Sequence, residues 1–172
     1  MPVKRLTIST SVPFLGTADL WDSSGLGLTG GGLRVGIIDT GIDYLHTGFG
    51  GSGLAADYAA NDGTQLDGFF PTAKVAGGFD FVGDAYDASS SDPAISTPQP
   101  DPDPMDCDGH GTHVAGTAGG FGVNGDGTTF QGPYGSSVPF SSLRVGPGVA
   151  PEATLYALRV FGCSGNTNVV EL

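Results

Sequence analysis

Positive charge is scarce in this sequence: 6 Lys and Arg stand against 18 Asp and Glu, a formal net charge of −12. Surfaces that bind nucleic acid or anionic lipid are basic, so neither partner is expected. Long apolar runs are also missing. None approaches the ~20 residues a transmembrane helix needs. After Lys4 and Arg5 there is no apolar stretch of about 7–15 residues, so residues 1–30 do not read as a signal peptide. Either the protein is cytosolic or its true N-terminus is not included. Cysteine is limited to Cys107 and Cys163. They read as two free buried thiols or, if oxidised, as a pair formed in an extracytoplasmic compartment.

What is abundant is the chain-breaking material. Of 172 residues, 31 are Gly and 12 are Pro, a content at the edge of low-complexity composition. Leu, Ile, Val and Phe still supply just under a quarter of the chain, which is above the range of disordered sequences. The length suits one domain, with a lean core and long glycine-rich loops.

Three apolar runs read as strands: Leu33–Ile38 closed by Asp39-Thr40-Gly41, Lys74–Val82, and Thr154–Phe161. A weaker strand is expected over Ser9–Leu15. Continuous apolar character predicts strands buried on both faces, as in a parallel sheet. Helices are expected over Thr17–Asp22 with Thr17 as N-cap, and over His110–Ala118 with Asp108 as N-cap. Residues 168–172 read as the start of another helix that the chain leaves incomplete, so truncation is expected. Two stretches, 84–106 (Asp-, Ser- and Pro-rich) and 121–148 (Gly-, Ser-, Thr- and Pro-rich), read as long loops, functional or partly disordered.

Asp39 closes a buried strand, where α/β folds place their sites; a turn-capping Asp fits it equally well. The segment Asp108-Gly109-His110-Gly111-Thr112-His113-Val114-Ala115-Gly116 carries more. His110 lies at a loop-to-helix junction between glycines that allow close approach. A helix N-terminus disfavours the imidazolium and helps to keep a base neutral. His113 lies one turn further on the same face. Taken alone, the segment fits three roles equally: an acid–base histidine, a metal pair completed by Asp106 or Asp108, or structure. His46 reads as structural.

Three segments together resemble the subtilisin-like serine proteases, or subtilases. Val35-Gly36-Ile37-Ile38-Asp39-Thr40-Gly41-Ile42-Asp43 resembles their catalytic-aspartate motif. Gly109–Gly116 resembles their catalytic-histidine motif, and Gly148–Val160 the strand that follows. The order Asp then His is that of subtilisin. The resemblance covers about residues 16–172. It implies an α/β three-layer fold with a mainly parallel sheet, incomplete because the chain is truncated. Residues 1–172 would be the N-terminal part of one catalytic domain, with about 1–15 as a leader segment. The implied activity is serine endopeptidase, acting through an acyl-enzyme on protein or peptide substrates.

By resemblance, Asp39 fixes the tautomer of His110, which moves the proton of a serine hydroxyl. Asp43 and His113 match the motifs as structural residues. Gly165 and Asn166 belong to a strand that pairs with the substrate backbone. The histidine loop and the end of the third strand converge on one site, which makes Cys107 and Cys163 a candidate disulfide and the parent protein extracellular. The resemblance departs from the family in two places. The serine of Gly-Thr-Ser-Met-Ala is absent: Ser136, Ser137, Ser141, Ser142 and Ser164 lack that context, so the isolated chain is expected to be inactive. The family's His-Pro-Asp-Leu reads His46-Thr47-Gly48-Phe49 here, and Gly48 offers no calcium ligand. The Asn124–Gly127 segment reads as a turn rather than a calcium loop. No metal site and no cofactor are assigned, with calcium left open. Two rival readings remain: a metal-dependent hydrolase using His110 and His113, and a non-catalytic binding module on the same fold.

Overall fold

The structure, a computed structural model, describes residues 8–164. Three strands form one parallel sheet: β1 Arg34–Asp39, β2 Val75–Asp80 and β3 Thr154–Arg159. The spatial order is β1-β3-β2, so the last strand is central. β1 pairs with β3 from Arg34 beside Thr154 to Asp39 beside Arg159, and β2 reaches the same end with Asp80 beside Arg159. All three predicted strands are present. Two short helices, α1 Ile8–Phe14 and α2 Thr17–Trp21, precede β1. Parallel pairing needs long crossovers: α3 Ala55–Ala60 lies between β1 and β2, and α4 Pro93–Ser96 and α5 His110–Gly119 lie between β2 and β3.

The weak strand expected over Ser9–Leu15 is instead the helix α1. Tertiary packing decides the state of so short a segment. Val12 is fully buried in a small core with Ala18, Trp21, Phe130 and Val138, while Phe14 and Leu15 face solvent. α2 begins at Thr17 as expected, although the cap is Gly16 in a left-handed conformation rather than Thr17.

The main core lies on one face of the sheet. Ala115 of α5 packs there with Ile37, Leu155 and Ala157, joined by Ile42, Tyr44, Leu45 and Phe49. The opposite face departs from the expectation of two-sided burial. Ile38, Leu158 and Phe79 share one register row; Ile38 is 64% and Phe79 37% exposed. The apolar pattern encodes burial on both faces, and the described residues cover one.

The two long loops are pinned rather than slack. Asp80 and Asp101 exchange backbone hydrogen bonds across the first, and Val123 bridges to both Thr129 and Val145 in the second. Lys74 straps the start of β2 to the approach of β3. Its buried ammonium donates to the carbonyls of Pro151 (2.7 Å) and Ala153 (2.6 Å) and lies 4.2 Å from the Phe121 ring centroid. Burial pushes its pKa down to about 8.

Candidate active site

β1 ends at Asp39 and α5 begins at His110, and the two meet at the carboxyl edge of the sheet. His110 Nδ1 lies 2.8 Å from Asp39 Oδ1 and 3.0 Å from Oδ2. A carboxylate only accepts, so Nδ1 carries the hydrogen and Nε2 is left to take a proton. The Asp39 side chain is 13% exposed and that of His110 67%. The Thr40 backbone N–H also donates to Asp39 Oδ1, at 2.7 Å.

Hydrogen bonding to Asp39, and then its charge, hold the His110 pKa above the ordinary histidine value. A helix N-terminus alone would push the other way. The ion pair wins because the carboxylate is in direct contact with the ring, whereas the dipole is a partial charge.

The cap of α5 differs from expectation. Gly109, not Asp108, occupies the cap position, in a left-handed conformation with φ 99°. The free N–H groups of the first turn are nevertheless all taken. Asp108 accepts from His110 N–H (3.2 Å), Thr40 Oγ1 from Gly111 N–H (2.8 Å) and Asp106 Oδ2 from Thr112 N–H (2.8 Å). The two glycines flanking His110 therefore serve different ends. Gly109 supplies the backbone conformation. Gly111 permits the approach of β1's end, since a Cβ there would lie 2.2 Å from the Gly41 carbonyl oxygen.

His113 does not join His110. It lines a separate cavity of about 240 Å³ with His46, Phe49 and Val145. His46 caps the turn Thr47–Phe49, its Nδ1 accepting from Gly48 N–H at 3.0 Å. Asp43 accepts from Tyr58 Oη (2.7 Å) and Leu45 N–H (3.1 Å). Burial pushes its pKa up. Asn124–Gly127 is a turn, closed by Gly127 N–H on the Asn124 carbonyl. Asp39, Thr40, Asp108, His110, Phe161 and Ser164 line an open depression of about 360 Å³. Among the described residues no serine hydroxyl engages His110. Gly165 and Asn166 lie outside the described residues.

Cys107 and Cys163 are joined by a disulfide, their Cα atoms 5.1 Å apart. Beneath it is a group that sequence reading missed. Arg159 is fully buried; it pairs with Asp80 (3.1 Å) and Asp84 (2.6 Å) and donates to the carbonyls of Met105 and Phe161. Its Nη2 also lies 3.0 Å from Cys107 Sγ and 3.4 Å from Cys163 Sγ. Asp80 Oδ2 has no hydrogen bond of good geometry, so the guanidinium's charge at 3.1 Å is what balances it. The signal in the sequence was that β2, like β1, ends in Asp.

Residues 30–171 match the model of the Subtilase family. The chain belongs to that family. It is 36% identical over 156 residues to the minor extracellular protease Vpr of Bacillus subtilis (strain 168), covering 91% of this chain and 13% of the relative. It is 30% identical over 137 residues to alkaline serine exoprotease A of Vibrio alginolyticus, covering 80% and 14%. To subtilisin Savinase of Lederbergia lenta it is 29% identical over 143 residues, covering 83% and 31%. The subtilase chain thus spans between 13% and 31% of the length of these relatives. The mixed helix and parallel-sheet architecture agrees with a subtilisin-like α/β fold, in which the sheet described here is small.

Proposed function

We propose that this subtilase chain supplies the acid–base half of a serine endopeptidase site. The observation that carries the reading is the Asp39–His110 hydrogen bond of 2.8 Å at the mouth of an open depression. Asp39 holds the Nδ1–H tautomer. Nε2 of His110 takes the hydroxyl proton of a serine as that oxygen attacks the peptide carbonyl, then returns it to the leaving amine. The serine comes from the remainder of the catalytic domain. The chemistry uses no cofactor. Substrates are proteins or peptides, and the parent is secreted, a reading supported by the similarity to an extracellular protease of Bacillus subtilis and by the disulfide. Gly165 and Asn166 pair with the substrate backbone as an added strand, since small residues leave backbone groups accessible.

The metal-hydrolase rival fares poorly on donor geometry. His110 Nδ1 is committed to Asp39, and His113 lines a different cavity. Among the described residues the three-donor group is Asp84, Cys107 and Cys163, whose sulfurs are bonded to each other. A fluorophosphonate probe tests the proposal. The isolated chain should show no specific serine labelling, and the complete protein should be labelled at a serine outside residues 1–172, dependent on His110. Specific labelling of any serine in this chain would overturn it.

A further inference from the structure

Asp106 is a half-buried carboxylate that touches neither Asp39 nor the imidazole, yet it joins the elements that carry them. Its Oδ1 accepts from Thr40 Oγ1 (2.9 Å), Gly109 N–H (2.9 Å) and Asp108 N–H (3.0 Å). Its Oδ2 accepts from Thr112 N–H (2.8 Å) and from the Thr112 hydroxyl. Thr40 adjoins Asp39 and receives Gly111 N–H at 2.8 Å. Thr112 Oγ1 in turn accepts Asp43 N–H at 2.9 Å. Each strut thus runs from the end of β1 to the first turn of α5. We propose that Asp106 is a positioning residue: through Thr40 and Thr112 it sets the separation between the Asp39 carboxylate and the His110 imidazole.

Five donors are more than any neutral side chain of that size can satisfy, because Asn offers one carbonyl oxygen. Burial alone would raise the Asp106 carboxyl. The hydrogen bonds from Gly109, Thr112 and Asp108 outweigh it and hold the pKa below the ordinary value. The carboxylate is therefore ionised wherever His110 works as a base. Three acidic groups face His110: Asp39 from β1, and Asp106 and Asp108 from the loop before α5. Asp108 carries the same charge but bonds His110 N–H alone, so it separates charge from bridging.

The inference rests on the proposed acid–base role of the pair, but its test does not depend on turnover. The His110 Nδ1–H resonance, far downfield when held by a carboxylate, is followed by NMR in the chain and its variants. It is expected in the unaltered chain, in Thr40→Ser and in Asp108→Asn. It should vanish or move upfield in Thr40→Val and Asp106→Asn, with the His110 pKa falling toward about 6.5. If Asp106→Asn fails to fold, the Thr40→Val and Thr40→Ser pair decides alone. A wild-type resonance in folded Thr40→Val, or its loss in Asp108→Asn as well, overturns the positioning role. Its absence from the unaltered chain would instead count against the Asp39–His110 pair, and so against the proposed function.

Discussion

β1 and β2 both end in aspartate at the same level of the sheet, on either side of Arg159, yet the two acids do opposite things. Asp80 is wholly buried and faces the equally buried Arg159 guanidinium at 3.1 Å. Asp39 faces an imidazole whose side chain is 67% exposed and which titrates. The first arrangement ties the end of β3 to the loop before α5; the second lies open to solvent. What a carboxylate at a strand end can do is thus set by the partner it meets and that partner's access to water.

The largest effect expected of that contrast is on catalysis. On the proposed function, His110→Ala in the complete protein should lower kcat by at least ~10⁴-fold while leaving the unfolding midpoint nearly unchanged. His113→Ala, acting in the separate cavity, should do the reverse. Loss of turnover in a well-folded His113→Ala with His110→Ala still active would reassign the base.

On the buried side the effect should appear as stability. Arg159→Ala leaves Asp80 without its cation, a type of loss that costs about 3–5 kcal/mol. Urea unfolding measures it, and a change below about 1 kcal/mol would remove Arg159 from its central place. The disulfide above Arg159 spans a sequence separation of 56. On the chain-entropy model its replacement by two serines should cost about 4 kcal/mol, or less if the reduced chain keeps structure. An unchanged midpoint would show that the ion cluster alone holds the loop.

A third buried acid sharpens the comparison. Asp103 is wholly buried but faces the Tyr44 hydroxyl (2.8 Å) instead of a cation, and burial raises its pKa to about 6. The folded state then holds a proton that the unfolded chain has released. Stability should therefore fall as pH rises from about 4 to about 6, by at most about 3 kcal/mol. Asp103→Asn should flatten that slope. Identical slopes in both proteins would mean that Asp103 does not titrate in this window.

Much of this was legible in the sequence. The three strands were marked by apolar runs closed by polar or glycine residues. Asp39 and His110 stood in short motifs whose glycines have specific backbone tasks. Arg159 escaped notice because it sits inside the apolar run Thr154–Phe161, and only the register shows that Asp80 lies beside it. Asp106 was considered only as a metal ligand, because its partner Thr40 lies 66 positions away. The helix α1 was missed since the burial of Val12 depends on Trp21 and Phe130, which no local pattern reveals. The exposed row of Ile38 and Phe79 was misjudged because an apolar pattern records the surroundings a strand is built for, not those that 157 described residues provide.

The central claim is that Asp39 and His110 work as one unit. A double-mutant cycle on peptidase kcat in the complete protein tests it most directly, with Asp39→Asn, His110→Ala and the two combined. Asp39→Asn is expected to cost about 10⁴-fold, and adding it to His110→Ala should cost little more than His110→Ala alone. Independent, multiplying losses in folded proteins would contradict the claim.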